Sequence, residues 1–231
     1  MGNAGSFDSF EKDGSTPRVS LFPNLRITTI GIEFEEQAHS EGFRYIAGVD
    51  EVGRGCLAGP VVAAACILDL TKALPKGLND SKKLTARNRD EIADQLKKET
   101  ITYAIGQIEA DEIDRINILE ATKKAMLAAI AKLDPAADFL LIDALYLKQS
   151  RLPQKSIIKG DSISASIAAA SILAKTYRDG LMKAYDVEYP QYGFAGHKGY
   201  GAATHFAALR KHGCCPLHRT SFRGVLPSET N

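Results

Sequence analysis

One short segment constrains this chain more than any other part of its sequence. An apolar run, Tyr45–Val49, ends on two adjacent carboxylates, Asp50 and Glu51, and continues into a Gly-Arg-Gly segment at Gly53–Gly55. Two carboxylates at the end of a buried strand are costly to hold together unless a cation neutralises them. Glycines beside an arginine let the backbone approach a ligand closely, and the guanidinium fork suits phosphate. The segment therefore predicts a metal-dependent site for phosphoryl-transfer chemistry.

The composition is that of one sizeable globular domain, or of one domain with a small appendage. The 231 residues are 45% hydrophobic and 25% charged, which is ordinary for such a protein. No apolar run reaches the roughly 18–20 residues that a membrane span needs, and the N-terminus lacks the basic and apolar segments of a secretion signal. The cysteines, Cys56, Cys66, Cys214 and Cys215, form no CxxC pair, so we expect a reduced, cytoplasmic protein.

Charge is distributed unevenly along the chain, although the formal net charge is only +1. Residues 148–223 contain twelve Lys or Arg and four Asp or Glu, whereas residues 1–147 contain seventeen and twenty-three. An excess of positive charge in one half of the chain is expected of a protein that binds a polyanion such as nucleic acid. Ordinary solvated helix faces are the alternative explanation of the same pattern.

Hydrophobic periodicity predicts an α/β fold. Two buried strands, Tyr45–Asp50 and Pro60–Leu68, are expected to pair antiparallel because glycines and a proline bend the chain between them. Thr85 is expected to cap a helix that continues to Lys98. The other predicted elements are strands at 101–108, 139–142 and 156–159 and helices at 32–41, 111–132 and 162–185. Strands and helices in this order favour a mixed sheet covered by helices over a simple βαβ repeat.

Residues 1–30 are predicted to be a flexible tail, because they are rich in Gly, Ser, Asp and Pro and lack sustained periodicity. Within the tail, Val19–Phe22 resembles the short peptides by which bacterial proteins bind the replication sliding clamp, with Arg18 in place of the usual leading glutamine. We therefore hypothesise a weak sliding-clamp contact through the tail. Unstructured apolar residues are the alternative interpretation.

Acidic residues also follow two later strands of the predicted sheet, at Asp143 and Asp161. Strand ends are where α/β sheets usually place their functional sites. Together with Asp50 and Glu51 these residues offer oxygen donors without a supporting His or Cys cluster, which suits Mg²⁺ or Mn²⁺ rather than zinc. Consecutive strand residues point to opposite faces, so Asp50 and Glu51 can both reach a metal only where the strand twists or ends.

Longer motifs around these acids resemble those of bacterial ribonuclease HII. The resemblance extends over about residues 32–224 and is far more specific than a single glycine pattern. The matching segments are Gly48–Gly55, Gly59–Ala65, Asp80–Leu84, Gly160–Lys175, Tyr192–Phe194, His197–Gly201, His218–Arg219 and Ser221–Phe222.

The resemblance implies a ribonuclease H-like fold, a mixed five-stranded sheet flanked by helices with a small helical C-terminal extension. Residues 31–188 would form the catalytic domain, and residues 189–231 a helical substrate-binding segment. The implied activity is a two-metal endonuclease that uses Mn²⁺ or Mg²⁺. It would cleave the RNA strand of RNA/DNA hybrids and nick duplex DNA 5′ to single ribonucleotides, as in ribonucleotide excision repair and RNA primer removal. The protein is expected to be a monomer.

The resemblance also assigns roles to individual residues by their position in the motifs. The residues that match the catalytic, metal-binding carboxylates are Asp50, Glu51, Asp143 and Asp161. The residues that match substrate contacts are Gly53, Arg54 and Gly55, whose backbone senses the ribose 2′-hydroxyl, Tyr200, which stacks on the sugar at the RNA–DNA junction, and Lys82 and Lys83, which contact phosphates.

Three positions depart from the usual pattern of the family. Cys56 stands where proline often follows the Gly-Arg-Gly segment, and Ala144 stands where glycine often follows the third carboxylate. Ala202 replaces a frequent threonine after Tyr200 and Gly201. None of these changes removes a predicted metal ligand, so we expect activity to be retained while loop geometry or rate is affected.

Two other functions are compatible with the same residues. Ribonuclease HIII is a related enzyme that normally carries an extra N-terminal substrate-binding domain, for which the short tail has no room. A non-catalytic nucleic-acid-binding protein would use the basic C-terminal half and is expected to bind its ligand equally well without metal.

Overall fold

The structure, a computed structural model, describes residues 30–226. The predicted tail up to residue 29, including its Val19–Phe22 segment, lies outside the described residues, as do residues 227–231. None of the helices between residues 30 and 226 is long and apolar enough to cross a membrane.

Five strands form one mixed sheet in the described part of the chain. They are β1 (Ile46–Val52), β2 (Val61–Ile67), β3 (Thr102–Ile108), β4 (Phe139–Asp143) and β5 (Gln154–Ile157). Their order across the sheet is β3-β2-β1-β4-β5. β2 runs antiparallel to β1 and β3, whereas β4 runs parallel to β1 and β5. The predicted mixed sheet and the antiparallel pairing of its first two strands are confirmed.

Helices cover both faces of the sheet because its strands are apolar on both sides. The helices are α1 (Glu33–Ser40), α2 (Ala86–Glu99), α3 (Ala110–Ile116), α4 (Ile118–Ile130), α5 (Ala165–Glu188), α6 (Phe194–His197) and α7 (Ala203–His212). α4 packs on the face that carries Val61 and Ala63. α2 and α5 pack on the opposite face, which carries Val62 and Ala64.

Three predicted elements differ from the structure. The helix predicted at 162–185 instead extends from Ala165 to Glu188, because a 3-10 turn at Gly160–Ser162 precedes it. The single helix predicted at 111–132 is divided into α3 and α4 at Asn117, whose φ of 69° is incompatible with a continuous helix. The Asn117 side chain instead caps α4 by accepting hydrogen bonds from the N–H groups of Leu119 and Glu120. The strand predicted at 156–159 begins earlier and ends at Ile157, because Lys159 has a left-handed φ of 58°.

The backbone of α5 approaches β1 closely at Gly48. A Cβ atom added to Gly48 would lie 2.0 Å from the carbonyl carbon of Ser166, so no side chain fits between the two elements. α5 begins four residues after Asp161, and Gly48 lies two residues before Asp50. This contact therefore holds the start of α5 near the acidic end of β1.

The chain after α5 packs against the loop that joins β1 to β2. The Leu57 N–H donates a hydrogen bond of 2.8 Å to the Gly199 carbonyl, and the Arg219 N–H donates one of 2.8 Å to the Leu57 carbonyl. A small apolar cluster that includes Ala58, Met182 and Phe194 fills the space between α5, this loop and α6. The division of the chain at residue 188 into two domains stays a prediction.

Candidate active site

The sheet register brings Asp50 and Asp143 side by side at the carboxyl ends of two parallel strands. In the β1–β4 pair Val49 is aligned with Ile142, so the next position on each strand is an aspartate. Side chains at aligned positions of neighbouring strands point to the same face of a sheet. That face is covered by α5, from which the Ser171 hydroxyl donates a hydrogen bond to the Asp50 carboxylate.

A short 3-10 turn, Gly160–Ser162, adds Asp161 to this pair. The Gly160 N–H donates a hydrogen bond of 2.7 Å to Asp143 Oδ1, which fixes the turn to the end of β4. Lys82 Nζ lies 3.0 Å from Asp161 Oδ2, and its charge also acts on Asp50 and Asp143. The structure thus places Asp50, Asp143, Asp161 and Lys82 along the same edge of the sheet, each as a neighbour of at least one other.

Glu51, the fourth acid, has a different setting. Because strand side chains alternate, Glu51 does not share a face with Asp50. Its Oε1 lies 3.3 Å from Arg54 Nη1, whereas its Oε2 is buried and has no hydrogen-bond partner within residues 30–226. A buried oxygen without a donor is costly, and it marks this carboxylate as a group that can accept a further partner.

Burial shifts the pKa values of three of the acids upward. The pKa of Asp50 lies well above its ordinary value, first because the side chain is buried and then because the charges of Glu51 and Asp143 are close. Burial also raises the pKa of Glu51, against the lowering effect of the Arg54 guanidinium. It raises the pKa of Asp143, against the effect of the hydrogen bond from the Gly160 N–H. A bound cation would stabilise the ionised form of each of these groups.

The chemistry of these acids fits a hard divalent cation. All the donors are oxygens, they repel one another, and one of them, Glu51 Oε2, lacks a partner. In the part of the chain that the structure describes, no three His, Cys, Asp or Glu side chains are already gathered around one point that could hold a metal ion. Each acid is instead in contact with a neighbouring donor. The assignment of the four acids as ligands of two metal ions stays a prediction.

The loop after β1 presents its two glycines differently. Gly53 is buried with a φ of 90°, and a Cβ there would lie 2.3 Å from Arg178 Nε, so the protein itself requires glycine. Gly55 is exposed, and a Cβ there would meet no protein atom within 4 Å. The packing of this protein therefore gives no reason for glycine at position 55, and its role in substrate contact stays a prediction.

Tyr200 lies beside this loop rather than in the core. Its side chain is 42% exposed, and its hydroxyl is hydrogen-bonded to the thiol of Cys56. Lys175 Nζ lies 5.9 Å from the centre of its ring. Lys83 is exposed on the loop that carries Lys82. Tyr200 and Lys83 are thus at the surface and Gly53 shapes the loop after β1, while the substrate-binding roles of these residues stay predictions.

Two buried arginines, for which the sequence predicted no role, hold the loop after β1 in place. Arg178 and Arg219 are both fully buried, and each donates hydrogen bonds to carbonyl groups of the segment 54–60. A signal for Arg178 is present in the sequence, since it lies two helical turns after Ser171 on the buried face of an otherwise alanine-rich helix. Arg219 lies inside a matching motif, but the motif does not disclose its partners.

The chain is similar in sequence and in fold to known proteins. A family model described as ribonuclease HII matches residues 47–225. Ribonuclease HII of Chlamydia caviae is 60% identical over 193 residues, which cover 83% of this chain and 90% of that protein.

Two solved structures confirm the ribonuclease H-like fold. Ribonuclease H2 from Pyrococcus horikoshii OT3 has a TM-score of 0.67 at 24% identity and covers 79% of this chain and 95% of that one. Ribonuclease HII of Archaeoglobus fulgidus, solved in a complex with PCNA, has a TM-score of 0.67 at 23% identity, with coverages of 81% and 98%.

Proposed function

The chain belongs to the ribonuclease HII family, and on that basis we propose that it is an endonuclease that hydrolyses the RNA strand of RNA/DNA hybrids and nicks duplex DNA 5′ to a single ribonucleotide. The products are a 3′-hydroxyl and a 5′-phosphate. Ribonucleotide excision repair and RNA primer removal, both in the cytoplasm, are the processes that such an activity serves.

The proposed metal ligands are Asp50, Glu51, Asp143 and Asp161. When bound, two Mn²⁺ or Mg²⁺ ions supply charge stabilisation at the phosphate and activation of a water molecule. The protein contributes the arrangement of these acids at the ends of β1 and β4 and in the 3-10 turn before α5. Lys82, which pairs with Asp161, and its exposed neighbour Lys83 can bind the phosphates that flank the scissile bond.

Recognition of the ribonucleotide is proposed for the loop after β1. Only the 2′-hydroxyl distinguishes a ribonucleotide from its deoxyribonucleotide neighbours, so a sensor must come within hydrogen-bond distance of that sugar. The exposed backbone at Gly55 offers such an approach, and the half-exposed ring of Tyr200 offers a surface for the sugar. The observation that carries the proposal is that two of the acids, Asp50 and Glu51, and the exposed Gly55 backbone lie in one continuous segment, Asp50–Gly55.

Loss of one acid tests the catalytic assignment. Asp143→Asn keeps the shape of the side chain but removes its charge, so turnover should be abolished while the thermal unfolding temperature is retained. The measurement is the nicking of a labelled duplex that contains one ribonucleotide, with Mn²⁺ or Mg²⁺. Retention of full activity by Asp143→Asn would refute the role of this residue.

A non-catalytic binding protein is the second candidate, supported by the basic C-terminal half. The two functions differ in their need for metal. With EDTA the enzyme should bind the duplex without nicking it, and added Mn²⁺ should restore nicking. A protein that binds equally well with and without metal but never nicks would favour the second candidate.

A weak contact with a sliding clamp is a further part of the proposal, through Val19–Phe22. A pull-down with the clamp should lose this chain when Leu21 and Phe22 are both replaced by alanine. Equal recovery of the double variant and the unaltered chain would show that Val19–Phe22 does not bind the clamp.

A further inference from the structure

Two guanidinium groups are fully buried behind the loop after β1. Arg178 comes from α5 and Arg219 from the segment after α7, and both side chains are 0% exposed. Among the described residues, neither has a carboxylate within ion-pair distance. Buried charges are usually paired with an opposite charge, so the partners of these two groups need an explanation.

Arg178 joins the loop to the segment that carries Tyr200. Its Nε donates to the Pro60 carbonyl at 2.9 Å and its Nη2 to the Ala58 carbonyl at 3.0 Å. Its Nη1 donates to the Lys198 carbonyl at 2.8 Å. A single side chain thus fixes the end of the loop and the residues before Tyr200 to the same helix that provides Ser171 to Asp50.

Arg219 holds the peptide group between Arg54 and Gly55. Its Nη1 donates to the Arg54 carbonyl at 2.9 Å, while its Nε and Nη2 both donate to the Gly59 carbonyl, at 3.0 and 2.8 Å. In a trans peptide the carbonyl and the following N–H point in opposite directions. The Gly55 N–H therefore points away from the buried guanidinium, and within residues 30–226 it has no acceptor.

The positive charge of Arg219 also acts through this peptide group. A charged donor on a carbonyl polarises the peptide and makes its N–H a stronger donor. Burial lowers the pKa of Arg219 to about 10, so the guanidinium stays charged at neutral pH. Asp114 acts on Arg219 electrostatically, but within residues 30–226 neither cation forms an ion pair with a carboxylate, so both add to the attraction of this loop for a phosphodiester.

We propose that Arg219, with Arg178 in support, is a positioning residue that directs the Gly55 N–H toward the substrate sugar and so sets the discrimination between a ribonucleotide and a deoxyribonucleotide. This inference rests on the proposed function. It extends that function because it assigns the selectivity of the exposed loop to a buried side chain that does not touch the substrate.

Arg219→Lys separates charge from geometry. A lysine keeps the positive charge, but its single ammonium cannot span the Arg54 and Gly59 carbonyls as a guanidinium does. In an Asp143→Asn background, which prevents nicking, we would measure the Kd of a duplex with one ribonucleotide and of the same duplex in DNA alone. The ratio of these constants should fall about tenfold in the Arg219→Lys variant, while the Kd for the all-DNA duplex changes less than about twofold.

Arg44→Lys is the matched control, since Arg44 is exposed before β1, at the opposite end of that strand from Asp50. It should leave both constants unchanged. If the unaltered protein does not discriminate, the proposed function fails. If it discriminates and Arg219→Lys discriminates equally well, the positioning role is overturned.

A second measurement does not depend on binding. In protein labelled with ¹⁵N-glycine, the Gly55 amide resonance should shift in Arg219→Lys and stay in place in Arg44→Lys. If Arg219→Lys does not fold, Asp114→Asn provides the same test. Asp114 Oδ2 accepts a hydrogen bond of 2.7 Å from the Thr220 N–H, and its Oδ1 accepts one of 3.1 Å from the Ser221 N–H. Asp114 therefore holds the segment that carries Arg219. An unshifted Gly55 resonance in the folded variant would overturn the proposal.

Discussion

At the scale of single residues, the loop after β1 contains two glycines that are needed for different reasons. Gly53 has a positive φ and touches Arg178, so it is needed for folding. Gly55 has open space where a side chain would be. Glycine at position 53 is thus needed for stability, whereas glycine at position 55 leaves room for a substrate to approach.

Gly55→Ala should therefore fold normally and cleave poorly. The added methyl group would stand between the Gly55 backbone and a substrate sugar, and the loss of one hydrogen bond should lower kcat/KM on a single-ribonucleotide duplex by at least about tenfold. Gly180→Ala is the matched control, because Gly180 is exposed on α5 and also has no atom near its missing Cβ. Similar cleavage by both variants would contradict the role of position 55.

Ala144 should be strained, since its φ of 49° lies in the left-handed region that glycine adopts without cost. Ala144→Gly relieves that strain but gives the unfolded chain more freedom, so a net gain of about 0.5 kcal/mol in the free energy of unfolding is expected. Urea denaturation measures it. A loss of stability would show that the loop after Asp143 is not strained.

The sequence predicted the acids at strand ends but not their surroundings. Asp50, Asp143 and Asp161 could be recognised because each follows a short apolar run. The six hydrogen bonds of Arg178 and Arg219 could not be recognised, because all of them except the link between Arg178 and Lys198 join positions more than a hundred residues apart. Such contacts depend on how the elements pack.

At the scale of elements, α7 begins without a side-chain cap. Its N-cap residue, Ala202, has the extended backbone that a cap adopts, with φ −86° and ψ 157°, but no oxygen to offer. The first N–H groups of a helix lack intrahelical acceptors. An alanine at position 202 therefore leaves the first turn of α7 without a side-chain acceptor.

Ala202→Thr should stabilise the protein by about 1 kcal/mol, because a threonine hydroxyl can accept a hydrogen bond from the first turn of α7. Ala203→Thr places the same residue one position later, where no capping is possible, and serves as control. Thermal unfolding of both variants measures the effect. Equal unfolding temperatures would mean that capping does not limit the stability of this helix.

Element boundaries were predictable where a local signal exists. Thr85 caps α2 by accepting a hydrogen bond from the Asn88 N–H, as its position before the helix predicted. The break between α3 and α4 was missed because the apolar spacing continues through Asn117. A left-handed asparagine is indistinguishable in sequence from a surface asparagine in a helix.

At the scale of the whole molecule, a buried histidine pair joins α7 to the segment that carries Arg219. His205 Nε2 and His218 Nε2 are 3.1 Å apart. His205 Nδ1 donates to the Tyr200 carbonyl at 2.9 Å, and His218 Nδ1 accepts the Cys215 N–H at 2.9 Å. These contacts require both rings to be neutral, with His218 donating to His205. The ring of His197 stacks on His205 and adds no opposite charge.

Acid should therefore destabilise the protein through this pair. Burial lowers the pKa of His205 to about 4 from an unfolded value near 6.5, so the unfolded chain binds the proton first. Stability due to His205 is complete above about pH 6.5 and is lost as the pH falls toward 4, by on the order of 2 kcal/mol. The raised pKa values of Asp50, Glu51 and Asp143 act in the opposite direction.

His205→Asn isolates the histidine contribution, since the amide can still donate to the Tyr200 carbonyl. Urea denaturation at pH 7.5 and pH 5 should show a smaller acid loss in the variant than in the unaltered protein. Identical losses would assign the acid sensitivity to other groups.

The central claim is that the four acids and the loop after β1 form one site that selects a single ribonucleotide in duplex DNA. The most direct test maps the cleavage positions in duplexes that contain one ribonucleotide, four ribonucleotides or none, in the presence of Mn²⁺. We predict a single nick immediately 5′ to the lone ribonucleotide, cleavage within the stretch of four, and an intact all-DNA duplex. An uncut single-ribonucleotide duplex, or a cut all-DNA duplex, would contradict the account.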